Sequence, residues 1–211
     1  MFNIYVQLKG DSMESDNKYT TTLNGAQFLL YEFSQIVKLK EQGLTDEEIK
    51  EKVIDENILQ QEKVSSLKRR LRYLLPRVNV LDETLRCFVI HESIDISKVI
   101  NFYSILKTDR LFYEFMNEVI KEKFKSNNYN LEKKDLNAFF TYKAEQNDTL
   151  KSWSDSTIQR LKQVYMRMLE EMGILTDRKT GELKRLIIDD QLKSHLRSIG
   201  DGQYIELMGD Q

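Results

Sequence analysis

The residues best suited to binding chemistry are basic, and they are concentrated in one stretch of the chain. Between Lys63 and Arg77 the sequence has six basic residues and no acidic one. Lysine and arginine neutralise phosphate groups, so this stretch could bind a nucleic-acid backbone. The preceding segment, 46–56, is rich in acids, so charge pairing between neighbouring helices is the alternative. The candidate phosphate-binding residues are Lys63, Lys68, Arg69, Arg70, Arg72 and Arg77.

A second candidate surface lies in the stretch from Trp153 to Leu175, which reads "WSDSTIQRLKQVYMRMLEEMGIL". Its apolar residues recur at helical spacing, and Ser154 is a natural N-cap. Serine, threonine, glutamine and arginine near the start of a helix can bind phosphates and base edges in a major groove, although an ordinary solvated face has the same pattern. The polar residues outside the apolar stripe are Ser156, Thr157, Gln159, Arg160, Gln163 and Arg167.

A β-hairpin is predicted directly after this helix. The apolar runs Ile174–Leu175 and Leu186–Ile188 flank a polar turn that contains Gly181. Helix, short connection, helix and hairpin in this order are typical of a winged helix-turn-helix, in which the hairpin could bind a neighbouring phosphate backbone. The basic residues of this predicted wing are Arg178, Lys179, Lys184 and Arg185.

Catalytic and metal-binding patterns are not found in the sequence. His91 and His195 are the two histidines, and neither has cysteine or carboxylate neighbours at zinc-ligand spacing. His91 and the single cysteine, Cys87, lie in an apolar segment, so we expect both to be buried. No glycine-rich phosphate loop occurs. The sequence therefore predicts no enzyme activity, no cofactor and no metal site.

The elements that position these residues are predicted to be helices, because the chain has one proline and eight glycines. Thr45 and Glu48 form a predicted capping box, and Pro76 predicts the end of the basic helix. The segment 109–124 is apolar on so wide a face that we expect it to lie centrally, between the two halves of the chain.

Length and charge set limits on the class of protein. The chain has 211 residues, a net charge of −2 and 40% hydrophobic residues. The whole-chain charge argues against a general polyanion binder but leaves local basic patches open. No signal peptide or apolar span is found, and one cysteine is typical of a reducing compartment. We therefore expect a cytoplasmic protein, with no membrane partner, that is monomeric because no exposed heptad seam occurs.

The predicted fold class is all-α with a small β-hairpin wing, and with two helix-turn-helix-like subdomains around a central helical core. Residues 1–125 are predicted to form an N-terminal helical domain, and residues 126–211 a C-terminal winged helix-turn-helix-like domain. The segment 126–130 is the best candidate for a linker. The first twenty or so residues could be a short strand or a loose arm, and the last helix is expected to precede a polar tail.

Several stretches together resemble the BrxA family of the bacteriophage-exclusion (BREX) defence systems. The resemblance extends from about Thr20 to Ile188 and is carried by "TTTLNGAQFLLYEFSQIVKLKEQG", "SLKRRLRYLLPRV", "LKTDRLFYEFMNEVIKEKF", "DLNAFF" and the stretch from Trp153. It implies an all-helical, DNA-binding accessory protein of a multi-protein phage-defence system, with no enzyme activity of its own. It does not identify the residues that contact DNA.

The leading interpretation is a non-enzymatic module that binds double-stranded DNA through basic helices and a wing, together with other BREX proteins as partners. One alternative is an adaptor whose basic helix docks onto an acidic surface of a partner subunit. Another is an RNA-binding helical bundle.

Overall fold

The computed structural model describes residues 18–210, which fold mainly as α-helices. The strand or arm predicted for the start of the chain lies almost entirely outside the described residues. A short 3₁₀ turn, Thr22–Asn24, precedes the first helix. The α-helices are α1 (Leu30–Glu41), α2 (Asp46–Asp55), α3 (Val64–Asn79), α4 (Glu83–His91), α5 (Ile94–Thr108), α6 (Arg110–Phe115), α7 (Lys121–Lys125), α8 (Lys133–Gln146), α9 (Asp148–Lys151), α10 (Asp155–Met172), α11 (Asp190–Ser198) and α12 (Gly202–Leu207).

The helix starts follow the local sequence signals. The Thr45 side chain accepts from the Glu48 amide while the Glu48 carboxylate accepts from the Thr45 amide, which confirms the capping box of α2. The Ser154 hydroxyl accepts from the Thr157 amide and caps α10 as predicted. After α10, Gly173 adopts a left-handed backbone with φ of 78°, which ends the helix.

The prediction that Pro76 ends the basic helix is wrong, because α3 continues through it to Asn79. Proline lacks the amide hydrogen that would bond to the carbonyl of Arg72, so the helix loses one hydrogen bond. Its last turn nevertheless buries Leu75, Arg77 and Val78. That burial favours continuing the helix despite the lost bond.

The segment 110–124 lies at the centre of the molecule, as predicted. It consists of α6, a π-helical turn at Met116–Ile120 and α7. The rings of Phe112 and Phe115 pack against Tyr165 of α10, with centroid distances of 4.7 and 5.2 Å. The buried apolar residues of both predicted domains belong to one continuous cluster around these rings. The division into two domains stays a prediction.

The prediction of a β-hairpin wing is wrong, since the described residues contain isolated bridges and no strand. Leu175 bridges Leu183, and Asn130 bridges Glu182. The residues that form bridges are therefore 182 and 183. The run Leu186–Ile188, predicted as the second strand of the hairpin, forms no β-bridge among the described residues. Within this run Ile188 is buried in the core, whereas Ile187 is exposed.

The chain beyond Gly200 is packed, not the polar tail that we expected. Tyr204, Ile205 and Met208 are buried. The Tyr204 ring makes an edge contact with Tyr103 of α5, with a centroid distance of 5.1 Å. None of the helices between residues 18 and 210 is both long and apolar enough to cross a membrane.

Candidate nucleic-acid interface

The outer face of α3 presents basic side chains to solvent. Lys68, Arg69 and Arg72 are exposed, as is Lys63 at the N-cap position. None of the four forms an ion pair with another residue of the described range 18–210. The Arg72 guanidinium lies 5.0 Å from the centroid of the Tyr73 ring and donates to the Tyr73 hydroxyl at 2.9 Å. This face can therefore neutralise an external anion.

The acidic helix α2 does not neutralise α3 within the described residues. The Asp46 carboxylate pairs with Lys40 of α1 at 2.7 Å and accepts from Asn79. The hydrogen bond from Lys40 lowers the pKa of Asp46. The remaining ion pair of α2 joins Glu47 to Lys50 of the same helix. The pairing of adjacent helices that the sequence left open is thus not observed in this part of the chain.

Two arginines of the basic stretch serve the fold. Arg70 pairs with Glu32 of α1. Arg77 is only 2% exposed and donates to the carbonyl oxygens of Ala26, Gln27 and Phe28. Burial lowers the pKa of Arg77 to about 10, so the guanidinium stays charged at neutral pH and holds the segment 26–28 against α3. These two residues are not available to a polyanion.

The polar side of α10 lies along the same segment. The Thr157 carbonyl accepts from Asn24 Nδ2 at 3.3 Å, and Arg167 donates to Gln27 Oε1 at 2.7 Å. Around the capping Ser154 hydroxyl, the hydroxyls of Ser156 and Thr157 lie within 3.0 Å. The acidic Asp155 and Glu171 of this helix are exposed, as are five of its six candidate residues: Ser156, Gln159, Arg160, Gln163 and Arg167.

A cleft of about 520 Å³ lies between α3 and the residue before the N-cap of α10. Arg72 and Tyr73 of α3 line it together with Trp153, which precedes the N-cap of α10. Gln159 lies elsewhere, in a groove lined by Phe140 and Lys162. Consecutive helical residues point about 100° apart, so Arg160 is directed away from that groove. Arg72 of α3 and Trp153, just before α10, therefore line one cleft, whereas Gln159 faces α8.

The predicted wing residues have mixed roles. Arg178 pairs with Glu170 at 2.7 Å. Arg185 donates to the carbonyls of Gly209 and Phe124 at 3.1 and 2.8 Å, so it anchors the end of the chain. Lys179 and Lys184 are exposed on the turn. That turn follows the C-terminal end of α10, roughly 27 Å from its N-terminus at 1.5 Å per residue.

Sequence reasoning missed the aromatic lining of the cleft. The sequence offered one signal for these residues: Tyr73 directly follows the candidate Arg72, and Trp153 directly precedes the predicted N-cap Ser154.

The expected burial of Cys87 and His91 is wrong: both are exposed, because α4 turns them away from the core that Leu85 and Val89 enter. In the range 18–210 no three His, Cys, Asp or Glu side chains are grouped to hold a metal ion.

Comparison with known proteins identifies the family of the chain. The sequence model of the BrxA family matches residues 17–200. The chain belongs to the BrxA family. The expected resemblance is thereby confirmed, and the match extends beyond Ile188, where the sequence resemblance ended, through α11 to residue 200.

Similar proteins carry the same family name. A "BREX protein BrxA" from Bacillus cereus is 39% identical over 197 residues, which cover 93% of this chain and 98% of that protein. A second protein of that name, from Paramagnetospirillum magneticum, is 25% identical over 191 residues, covering 90% and 96%. A crystal structure of an uncharacterized protein from Magnetospirillum magneticum matches with a TM-score of 0.80 at 24% identity, covering 90% of this chain and 97% of that one. This structure shares the BrxA-family fold.

Proposed function

We propose that this BrxA-family protein is a DNA-binding accessory component of a BREX phage-defence system and acts without catalytic activity of its own. Double-stranded DNA is the proposed ligand, and other BREX proteins are the proposed partners. Monomeric assembly and a cytoplasmic location belong to the same proposal.

The observation that carries the proposal is the exposed basic face of α3, which reaches a cleft at the start of α10. Lys68, Arg69 and Arg72 have no carboxylate partner within residues 18–210, and Arg72 lines the same cleft as Trp153 at the start of α10. Unpaired cations on neighbouring helices supply the phosphate contacts that dominate DNA affinity. The proposed contact set is Lys63, Lys68, Arg69, Arg72, Ser156, Arg160, Gln163 and Arg167, with Lys179 and Lys184 as outlying phosphate contacts.

The helix-turn-helix element belongs to the proposal as well. The helix α9 has four residues and is capped by Asn147, and α10 follows after a short connection. In this arrangement α10 would be the recognition helix, and its N-terminal turns would enter the major groove. The acidic pair Glu170 and Glu171 lies at the other end of α10, where it would remain outside the groove.

Competition binding tests the choice of nucleic acid. A fluorescent duplex bound to the protein is challenged with unlabelled duplex DNA or with a structured RNA of equal length and charge. Displacement by the DNA at lower concentration supports the proposal. Preferential displacement by the RNA would instead support the RNA-binding alternative, because A-form RNA does not offer its major groove to a helix.

The adaptor function remains a second candidate because the exposed cations Lys68, Arg69 and Arg72 could equally dock α3 onto an acidic surface of a partner subunit. Affinity purification after nuclease treatment separates the two functions: an adaptor keeps its partner subunits, whereas partners tethered through DNA are lost.

A further inference from the structure

The cleft at the start of α10 is lined by α3, by the segment 19–23, by the turn between α5 and α6, and by Trp153. Its wall contains the aromatic residues Tyr19, Tyr73 and Trp153, and three consecutive threonines, Thr20–Thr22. The buried groups Arg77 and Asp109 also reach it, and Arg72 lies at its edge. Its volume of about 520 Å³ falls within the range of roughly 300–1,000 Å³ typical of small-molecule sites.

Of the three aromatic rings, Trp153 is the one available to stack on a ligand. The Tyr19 ring is covered by the Arg110 guanidinium at 4.5 Å, and the Tyr73 ring by that of Arg72 at 5.0 Å. Trp153 is half-buried against the core and has no aromatic or cationic partner among residues 18–210. Its indole lines the cleft together with Arg72 and the threonines Thr20–Thr22.

From this lining we propose that the cleft holds a single unpaired nucleobase, stacked on Trp153, with its phosphate at Arg72. Stacking on an aromatic side chain and a cation beside the backbone are the two components of single-strand recognition. The threonine hydroxyls both donate and accept hydrogen bonds, so they can bond to the donors and acceptors on the edge of any base. The cleft is far too small for a duplex, so the base must leave its stack.

This inference rests on the proposed DNA binding and adds a substrate class to it. Moving a base out of a duplex is least costly where that base is mismatched, bulged or already single-stranded. We therefore expect the protein to prefer a duplex that contains one unpaired nucleotide over the same duplex fully paired. The same chemistry would recognise a free mononucleotide, which the test below separates.

Trp153 is the single tryptophan of the chain, so its fluorescence reports directly on the cleft. The full chain is titrated with a paired duplex, with the same duplex carrying one bulged adenine, and with deoxyadenosine monophosphate. We expect the bulged duplex to quench Trp153 and to bind about tenfold more tightly than the paired one, as stacking of one base implies. The mononucleotide should bind far more weakly, since it lacks the remaining phosphate contacts.

Matched variants separate stacking from folding. Trp153→Leu should lose the preference for the bulge, and Trp153→Phe should retain most of it, both followed by anisotropy of labelled DNA. Tyr142→Leu, which removes an aromatic ring that is 54% exposed on α8, should leave the preference unchanged. Unchanged thermal unfolding establishes that a variant is folded. If Trp153→Leu unfolds, Trp153→Phe and the quenching of wild type decide the outcome.

Three results would overturn the assignment. Equal affinity for the two duplexes, without quenching of Trp153, would reject the nucleobase site while the proposed duplex binding still stands. Quenching by the mononucleotide, without preference for the bulged duplex, would show that the ligand of the cleft is a free nucleotide and not a base of a DNA strand. Failure to bind any DNA would overturn both this inference and the proposed function.

Discussion

Arg72 of α3 and Trp153, next to the N-cap of α10, line the same cleft although they belong to opposite halves of the chain. The segment 24–28 makes this possible. It is held to α3 by the buried Arg77 and to α10 by Asn24 and Gln27. One segment therefore contacts both helices for which the sequence predicted a binding surface.

The first prediction concerns the exposed cations of α3. Replacing Lys68, Arg69 and Arg72 together with alanine should weaken binding to all duplex sequences about equally, because phosphate contacts carry no sequence information. The slope of log K against log salt should become shallower by about 3, at roughly 0.9 for each lost contact. Fluorescence anisotropy with a labelled duplex at several salt concentrations measures both effects.

The control for this variant removes the same charge elsewhere. Lys38, Lys98 and Lys125 lie on α1, α5 and α7. Their combined replacement by alanine should leave the salt slope close to that of wild type. Equal losses in the two triple variants would mean that net charge, and not the face of α3, determines binding.

The second prediction contrasts two cations of α10. Arg160 is exposed, whereas Lys162 donates to Asn137 at 2.8 Å and lies over the Phe140 ring. Arg160→Ala should weaken duplex binding by about 1–3 kcal/mol and reduce any sequence preference. Lys162→Ala removes an equal charge and should have little effect on affinity. The reverse order of effects would show that the wrong side of α10 has been assigned to the DNA.

The third prediction concerns Arg77. Its replacement by alanine should lower the free energy of unfolding by at least about 3 kcal/mol, because three carbonyl oxygens lose a charged donor inside the protein. Chemical denaturation followed by circular dichroism measures this loss. A variant as stable as wild type but unable to bind DNA would instead make Arg77 a direct contact.

The fourth prediction is a pH dependence that arises from Asp109. Burial raises the pKa of its carboxyl group from 3.8 to about 6, against the lowering effect of the amide hydrogen bond from Phe112 and of the Arg77 charge. The folded state therefore holds a proton that the unfolded state has released between pH 3.8 and about 6. The stabilisation due to protonated Asp109 is full below this window and is lost as the pH rises through it.

Asp109→Asn isolates this effect, since asparagine can still accept from the Phe112 amide. The free energy of unfolding of wild type minus that of the variant should fall by up to about 3 kcal/mol between pH 4 and pH 7. Carboxylates with lowered pKa, such as Asp46 and Glu206, act in the opposite direction in both proteins and cancel in the difference. A difference that does not change with pH would show that Asp109 does not titrate in this window.

Local chemistry made much of the fold predictable. The caps at Thr45 and Ser154 need only residues three positions away, and the wide apolar face of 110–124 indicates central burial by itself. Tertiary contacts account for the failures. The burial of Arg77 depends on carbonyl groups some fifty positions earlier. Leu175 bridges Leu183 and not the later run, in which Ile188 is buried in the core.

The candidate site was predictable in part for the same reason. Charge segregation identifies the exposed Lys68, Arg69 and Arg72, but it cannot separate them from Arg70, whose partner Glu32 lies on another helix. The cleft was not predictable, because Tyr73 and Trp153 line one cleft only when the segment 20–28 has folded between α3 and α10.

The affinity of the wild-type protein for duplex DNA at several salt concentrations is the most direct test of the proposed function. If roughly 4–6 phosphates are contacted, log K should fall against log salt with a slope of about −4 to −5. Binding that does not depend on salt, or no binding at low salt, would contradict the assignment of α3 and α10 to a DNA interface.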